Sequence, residues 1–225
     1  MTEIIPAILT DSVSDFEKKV ADVESAVLAN DLNIKRVQVD IIDGVFADNK
    51  TIDPSNIVGV DTNLSLDFHL MVKNPAGWVE KCANAGADRI IGQIEMMDSQ
   101  AEFVGKVQEA GLYVGLALDL ATPVANFDPV VLTGVDVILL MSVKAGWGGQ
   151  EFDPGVIEKI KKLDEIRVRD STPFKICVDG GINEDVAGKL HLAGADEFAV
   201  GKRLFEGELT DNINRLQKAA HGRID

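Results

Sequence analysis

The sequence has few cysteines, few basic residues and no long apolar run, and each scarcity excludes a class of protein. Cys82 and Cys177 form no CxxC pair and cannot support a disulfide framework, which favours a reducing compartment. The 22 Lys and Arg face 37 Asp and Glu, so the net charge of −15 argues against binding to nucleic acid or anionic membranes. The apolar run at 137–141 is far shorter than the about 20 residues of a membrane span. The first ten residues lack a signal-peptide pattern, so we expect a cytoplasmic protein.

What the sequence has is a regular alternation of short β-rich runs and amphipathic helical stretches. We predict strands at residues 4–9, 34–40, 64–69, 89–92, 113–118, 135–141, 174–179 and 197–200. Helical periodicity is clearest at residues 13–29, 76–85, 100–110, 154–168 and 184–192. Eight strands in 225 residues leave about 28 residues per βα unit, which predicts a single (β/α)8 TIM-barrel domain over residues 1–225. An open doubly wound sheet is the alternative, but no GxGxxG follows the first strand.

A weak internal repeat also favours the barrel. Segments of the form small-Gly-x-Asp stand at residues 85–88 and 193–196, with looser copies around Gly111 and Gly134. Glycine adopts the left-handed conformation that ends a helix at little cost. We therefore predict that each of these glycines ends a helix just before the next strand.

Polar side chains recur on one face of three predicted strands. Period-2 alternation places Gln38 and Asp40 on one face of the second strand, His69 on the same face of the third, and Asp179 on that of the seventh. In a barrel this face is the interior, so the four side chains converge at the C-terminal mouth. Buried ionisable groups need pairing or a metal, and these ligands suit zinc, iron, manganese or cobalt. The alternative is that loop backbone satisfies each residue separately.

Three glycine-rich segments follow the sixth, seventh and eighth predicted strands, at residues 145–150, 179–182 and 200–203. A phosphate needs backbone N–H groups that approach without a Cβ in the way, and helix N-termini after the last two strands would add a favourable dipole. We therefore predict a phosphate site here, with Lys202 and Arg203 adding positive charge. The alternative is that each segment is a tight turn. The segment around Trp147 also has the glycine content of a mobile flap.

Taken together, these residues resemble the ribulose-phosphate 3-epimerase family over nearly the whole chain. The matching motifs are PAIL at 6–9, VDIIDG at 39–44, HLMV at 69–72, LMSV at 140–143 followed by GWGGQ at 146–150, and VDGG at 178–181. The resemblance implies a TIM barrel of the ribulose-phosphate-binding type that epimerises carbon 3 of a ketose phosphate with a divalent metal ion. It permits dimers and larger homo-oligomers.

The resemblance also implies a role for each matching residue. Asp40 and Asp179 would be the acid/base pair, and both, with His69 and Gln38, would hold the metal. The implied substrate-binding residues are Ala7, His69, Met71, Met141, Gly146, Trp147, Gly148, Gly149, Gly180, Gly181, Gly201 and Lys202.

Departures from the family pattern cluster at the mouth. Gln38 stands where the family has histidine, Ala7 where it has serine, and Gln93 begins a Gln-x-Glu where it has His-x-Glu. These changes keep open an alternative in which the barrel binds a sugar phosphate without epimerising it. A ketose-phosphate decarboxylase or aldolase of the same barrel group is less favoured, because the stretch from Asp67 to Met71 lacks the lysine of their Asp-x-Lys-x-x-Asp motif.

Overall fold

Eight parallel strands close into one barrel in the computed structural model, which describes residues 2–221. Each strand pairs with the next in chain order and the eighth pairs with the first, so the predicted (β/α)8 TIM barrel is confirmed. The predicted domain's outermost residues, 1 and 222–225, lie outside the described residues. The strands are β1 (Glu3–Ile8), β2 (Arg36–Ile42), β3 (Ser65–Met71), β4 (Ala87–Gln93), β5 (Tyr113–Leu118), β6 (Val137–Met141), β7 (Lys175–Asp179) and β8 (Glu197–Val200).

The helices cover the barrel unevenly. Those described within residues 2–221 are α1 (Val13–Asn30), α2 (Val79–Asn84), α3 (Gln100–Glu109), α4 (Val156–Asp170), α5 (Glu184–Ala193) and α6 (Leu209–His221). The β2–β3 connection carries only a 3₁₀ helix at Pro54–Ile57, and the β5–β6 connection carries two at Val124–Asn126 and Val131–Gly134. These two units therefore depart from the ideal βα repeat.

Two of the helix predictions need correction. The helix predicted at 76–85 is split into a 3₁₀ turn at Pro75–Gly77 and α2, because Asn74 takes a left-handed conformation and Pro75 restarts the chain. Helix α6 was not predicted. Its buried apolar residues Ile213, Leu216 and Ala220 follow helical spacing opposite a polar face, so the periodic signal for this helix was present in the sequence.

The glycine repeat ends helices at three of its four copies. Gly86, Gly111 and Gly194 have φ of +85°, +75° and +111° and each precedes a strand. The prediction for Gly134 was wrong, because this residue ends a 3₁₀ helix without a left-handed φ. The β5–β6 connection holds no α-helix whose end needs a glycine.

The core has two layers separated by the strands. Outward-facing side chains such as Val39 and Phe68 pack against the helices, where Phe16 and Phe103 are also fully buried. Each such side chain stabilises the fold by roughly 1.5–3 kcal/mol. The interior holds a smaller apolar cluster made by the alternate residues, which are Ala7, Ile42, Met71, Ile91, Ala117, Val137, Leu139, Met141, Val143, Ala145, Cys177 and Ala199. The predicted alternation of the strands is therefore confirmed.

A ring of alternating charges closes the N-terminal end of the barrel interior. Arg89 is one member of this ring, and its Nη2 lies 2.5 Å from Oδ2 of Asp67 and 2.8 Å from Oε2 of Glu197. Lys175 Nζ lies 2.7 Å from Oε1 of Glu197, and Arg36 Nη1 lies 2.8 Å from Oδ1 of Asp67. Glu3 joins Arg36 and Lys175 at 3.6 and 3.3 Å and completes the ring. Three acids balance three bases, so burial leaves no net charge at this end.

Candidate active site

The opposite, C-terminal end of the barrel opens into a cavity of about 490 Å³. Its walls come from the ends of the strands and the loops that follow them, as the sequence predicts. The predicted site residues that line it are Ala7, Asp40, Met71, Met141, Gly146, Trp147, Gly148, Gly149, Asp179, Gly180, Gly181, Gly201 and Lys202. Gln38 and His69 do not line it. Both are fully buried and contact the two aspartates instead.

The four polar residues from β2, β3 and β7 form one compact cluster. Gln38 Nε2 donates hydrogen bonds to Oδ1 of Asp40 at 2.8 Å and to Oδ2 of Asp179 at 2.7 Å. His69 Nδ1 lies 3.4 Å from the same two oxygens. Asp40 and His69 are register partners on adjacent strands, whereas Asp179 reaches the cluster from β7. The four residues therefore converge as predicted, but only Asp40 and Asp179 line the cavity at the mouth, and the prediction that Gln38 and His69 also face it was wrong.

Burial and mutual charge shift the protonation of this cluster. Burial, followed by the nearby charge of Asp179, raises the pKa of Asp40 above its ordinary value despite the hydrogen bonds that it accepts. Burial by itself would lower the pKa of His69, but the interactions with the carboxylates of Asp179 and Asp40 outweigh it and raise that pKa to about 9. The two carboxylates and the ring therefore share a small buried volume, in which a cation would offset the negative charge of the carboxylates.

The donor set of this cluster fits a divalent metal ion. Asp40, His69 and Asp179 each offer one ligand atom, and these atoms all lie within 4.8 Å of one another. The ring nitrogen that faces the two aspartates, His69 Nδ1, is buried and has no hydrogen-bond partner among the described residues, and the same holds for Oε1 of Gln38. Carboxylate oxygen and imidazole nitrogen are ligands for the first-row divalent metals and zinc.

Gln93, at the end of β4, contacts this cluster from behind and was not among the predicted site residues. It is fully buried, and its Nε2 lies 3.0 Å from Nε2 of His69. The register between β3 and β4 shifts at Leu66 and Asp67, so His69 is opposite Ile91 and Gln93 extends beyond it toward the mouth. The strand alternation places Gln93 on the inner face, but the contact depends on this shift.

Buried hydroxyls hold the strand ends that carry the two aspartates. Ser142 Oγ lies 2.6 Å from the carbonyl oxygen of Gly180 and 2.9 Å from that of Asp179, and its N–H donates to Asp179 O at 2.8 Å. On the other side, Thr51 Oγ1 donates to the carbonyl oxygen of Asp40 at 2.7 Å. Both aspartates therefore extend from backbone that is hydrogen-bonded beyond the sheet ladder.

The turn after β7 is one that only glycine fits. Gly180 has φ +108°, and a Cβ on it would lie 2.3 Å from Cγ2 of Val143. Gly181 has φ +62°, and a Cβ on it would lie 2.6 Å from the backbone nitrogen of Phe152. Helix α5 begins shortly after this turn, with Asn183 as its N-cap, which matches the predicted helix N-terminus. After β8 the prediction needs correction, because Gly201 leads into a short 3₁₀ helix, Lys202–Phe205.

The loop after β6 covers one side of the cavity. Trp147 on this loop is 60% exposed. The loop is tied down by Gln150 Nε2, which donates to Trp147 O at 2.7 Å, and by Asn49 Nδ2, which donates to Gly146 O at 2.6 Å. The side chain of Lys202 lies along it, with Cδ 3.4 Å from where a Cβ on Gly149 would be.

Four basic side chains stand around the rim of a strongly acidic protein. They are Lys19, Lys144, Lys202 and Arg203, and all of them line the cavity. Lys19 was not predicted, because it belongs to α1 and nothing in the local sequence links that helix to the mouth. Two of them are close to acids, since Lys19 Nζ lies 2.7 Å from Oδ2 of Asp15 and Lys202 Nζ lies 3.5 Å from Oε1 of Glu206.

The fold and the cluster define a class, a TIM barrel whose mouth presents paired carboxylates in a site fit for a metal ion. Comparison with known proteins identifies the family within this class. The ribulose-phosphate 3-epimerase family matches residues 3–205. The ribulose-phosphate 3-epimerase of Chlamydia pneumoniae is 35% identical over 195 residues, which are 83% of this chain and 84% of the relative. The rice (Oryza sativa subsp. japonica) protein named the cytoplasmic isoform is 33% identical over 227 residues, 98% of this chain and 95% of the relative.

The chain belongs to the ribulose-phosphate 3-epimerase family and is a carbohydrate isomerase. The family's substrates are phosphorylated sugars, as its name states. The fold is shared more widely. A 3-keto-L-gulonate-6-phosphate decarboxylase from Vibrio cholerae superposes with a TM-score of 0.65 at 13% identity, covering 97% of both chains. Within residues 2–221, no helix combines the length and the apolar character needed to cross a bilayer.

Proposed function

We propose that this protein interconverts the two C3 epimers of a ketose phosphate, ribulose 5-phosphate and xylulose 5-phosphate or a related pentulose or hexulose phosphate. The observation that carries the proposal is the pairing of Asp40 and Asp179 at the mouth, where both hydrogen-bond the same amide nitrogen of Gln38. Two carboxylates beside one cavity suit a reaction that removes a proton from one face of a carbon and returns one to the other.

The proton transfers divide between the two aspartates. The C3 proton of a ketose phosphate is acidified by the neighbouring C2 carbonyl, and the ionised carboxylate of one aspartate accepts it. The protonated carboxyl of the other then donates a proton to C3 from the opposite face, which inverts that centre. The reverse reaction exchanges the two roles, so each aspartate has to serve as both acid and base.

Asp40, His69 and Asp179, with Gln38 through its Oε1, would hold a divalent ion of zinc, iron, manganese or cobalt. When bound, this ion would supply electrostatic stabilisation for the negative charge that the C2 oxygen gains as C3 loses its proton. The buried position of the cluster strengthens every such interaction, because little water reaches it.

The other predicted residues bind and enclose the substrate. The backbone N–H groups at Gly180 and Gly181, just before α5, bind the phosphate because no Cβ is in the way. Gly201 and Lys202 bind it in the same way after β8. Ala7, Met71 and Met141 form the apolar floor against the sugar carbons. The segment Gly146, Trp147, Gly148 and Gly149 covers the bound sugar, with Trp147 as its largest side chain.

Asp40→Asn and Asp179→Asn test the proposal directly. Each substitution keeps the shape of the side chain and removes the base, so we expect kcat to fall by about 10²–10⁴-fold while the sugar phosphate still binds. Asp48→Asn, in an exposed position of the loop after β2, is the matched control and keeps wild-type turnover. Turnover near the wild-type rate in either aspartate variant would refute the assignment.

A second candidate is a barrel that binds a sugar phosphate without epimerising it. Gln38 favours it, because its amide nitrogen donates a hydrogen bond to each of the two carboxylates. This alternative predicts sugar-phosphate binding that a chelator does not change and a native protein with little bound metal. Stoichiometric metal in the purified protein would argue against it.

A further inference from the structure

The glycines of the loop after β6 leave their backbone donors unused. Within residues 2–221, the N–H groups of Gly146, Gly148 and Gly149 donate a hydrogen bond to no other residue. Gly146 and Gly149 have φ of +111° and +77°, and the loop contains neither helix nor strand. A segment of this kind, residues 144–150 and here called the flap, is mobile unless side chains hold it in place.

Gln150 closes the flap on itself. Its Nε2 donates to Lys144 O at 2.6 Å and to Trp147 O at 2.7 Å, which uses both hydrogens of the amide. Backbone carbonyl oxygens only accept, so the two partners determine which atom of this carboxamide is nitrogen. One side chain therefore holds both the first residue of the flap and the residue that carries its largest side chain.

Asn49 joins the flap to the loop after β2. Its Nδ2 donates to Gly146 O at 2.6 Å, and its Oδ1 accepts from the N–H of Lys50 at 2.8 Å. Each partner is a backbone group that can only accept or only donate, so the orientation of this carboxamide is also determined. The two loops are in close contact here, because a Cβ on Gly146 would lie 2.9 Å from Cβ of Ala47.

The held carbonyl groups determine where the N–H groups of the flap point. In a planar trans peptide, the C=O and the N–H of one unit point in opposite directions. Because Gly146 O is held toward Asn49, the N–H of Trp147 points away from Asn49. Because Trp147 O is held toward Gln150, the N–H of Gly148 points away from Gln150. Free N–H groups of a glycine-rich loop are donors that an anion such as phosphate can use.

We propose that Gln150 and Asn49 are positioning residues, which hold the flap beside the cavity with the N–H groups of its glycines free for the phosphate of the substrate. They order the flap before the ligand arrives, so that binding does not carry the entropy cost of ordering it. The inference rests on the proposed function only in taking a phosphorylated ligand to this cavity.

The motion of Trp147 measures the order of the flap without any ligand. The chain has two tryptophans, so Trp78→Phe in every sample leaves Trp147 as the single fluorophore of this type. Gln150→Met removes both donors and adds no charge. We expect time-resolved fluorescence anisotropy to show a larger amplitude of nanosecond motion in this variant. Gln108→Met is the matched control, because Gln108 Nε2 donates to Gly134 O at 2.8 Å, at the opposite end of β6 from the flap.

The affinity for inorganic phosphate tests what the ordered flap does. Phosphorus NMR measures the binding of phosphate without turnover, at the same metal content in every sample. We expect the Kd to rise about 10-fold in Gln150→Met and to stay unchanged in Gln108→Met. Since neither substitution changes the net charge, a difference between them does not reflect a general electrostatic effect.

A double variant tests Asn49 at constant charge. Asp48→Asn combined with Asn49→Asp removes the donor to Gly146 O, keeps the acceptor for the N–H of Lys50 and leaves the net charge of the loop unchanged. We expect a rise in the phosphate Kd of the same order as in Gln150→Met. Asp48→Asn alone is the control and keeps the wild-type Kd.

Several results would overturn the inference. They are an unchanged phosphate Kd or unchanged motion of Trp147 in Gln150→Met, an equal rise of the Kd in Gln108→Met, and no phosphate binding when both amides are intact. The proposed function fails separately. The expected phosphate and anisotropy results without epimerisation of a ketose phosphate would refute the function alone, whereas epimerisation with a wild-type KM in Gln150→Met would refute the inference alone.

Discussion

Asp40 and His69 are register partners on β2 and β3, and Oδ1 of the carboxylate lies 3.4 Å from Nδ1 of the ring. Because parallel strands in register align their side chains in rows, the two residues meet without help from any loop. Asp179 joins them through Gln38 from the far side of the barrel. The carboxylates and the ring are thus carried by barrel strands rather than by loops.

The hydroxyl of Ser142 positions Asp179 rather than taking part in chemistry. Ser142→Ala removes the hydroxyl contacts with the carbonyl oxygens of Asp179 and Gly180, of which only that of Asp179 keeps a hydrogen bond from the backbone N–H of residue 142. We expect a loss of about 1–2 kcal/mol in the free energy of unfolding and a lower kcat with little change in KM. Denaturant unfolding and steady-state kinetics measure these effects. Ser65→Ala, at the other end of the barrel, serves as control, and a KM effect larger than the kcat effect would contradict the positioning role.

The charged ring at the N-terminal end contributes to stability and not to catalysis. Arg89→Met leaves the carboxylates of Asp67 and Glu197 buried without their shared partner. We expect a loss of about 3–5 kcal/mol in the free energy of unfolding. Lys175→Met removes a ring member whose side chain is 48% exposed, and we expect a loss of about 0–1 kcal/mol. Equal losses of unfolding free energy in the two variants would contradict this prediction, because they would show that burial does not determine how much each ring member stabilises the fold.

Lys202 is expected to act on the binding of the phosphate. It stands at the rim beside Gly149, and its Nζ lies 3.5 Å from Glu206. Lys202→Met should raise KM about 10-fold, equivalent to about 1.4 kcal/mol, with a smaller effect on kcat. The effect should shrink as the salt concentration rises. Lys18→Met, on α1 but away from the cavity, is the control. A pure kcat effect in Lys202→Met would place the lysine in the chemical step instead.

Asp43 gives the loop after β2 a pH dependence with a defined sign. Burial would raise its pKa, but backbone hydrogen bonds from Lys73, Val45 and Phe46 outweigh burial and hold the pKa below 3.8. A carboxylate with a depressed pKa stabilises the fold above its unfolded-state pKa and loses that contribution as the pH falls through the folded-state value. Asp43→Asn should therefore cost about 1 kcal/mol at pH 7 and less below pH 4. Urea unfolding across this range tests it, and a constant difference would contradict it.

Much of this site is predictable from the sequence because it rests on strand periodicity. The inward faces of β2, β3 and β7 follow from alternation alone, so Gln38, Asp40, His69 and Asp179 could be placed together. Gln93 could not be paired with His69 in the same way, because their contact depends on the register shift between β3 and β4. Lys19 was not predicted for another reason. It lines the cavity from α1, and the packing of a helix against loops leaves no periodic pattern in the sequence.

The absence of an α-helix from two of the described connections, after β2 and after β5, also has a physical explanation. The sequence indicates eight strands but shows clear helical periodicity in only five stretches, none of them after β2 or β5, and these two connections hold only 3₁₀ helices. In the first of these, Asp53 is the N-cap of the 3₁₀ helix and its side chain accepts a hydrogen bond from the N–H of Ser55. Pro54 is the first residue of that helix and has no N–H that needs a partner. A repeat argument counts strands well and does not determine what lies between them.

The most direct test of the account is NMR of ribulose 5-phosphate in D₂O with the purified, metal-loaded protein, with and without a chelator. Deuterium from the solvent should appear at C3, the epimer should accumulate with it, and the chelator should abolish both. Asp179→Asn, with the same metal content, should show neither. Binding of the sugar phosphate by the metal-loaded protein with no deuterium at C3 would contradict the central claim that Asp40 and Asp179 exchange the C3 proton.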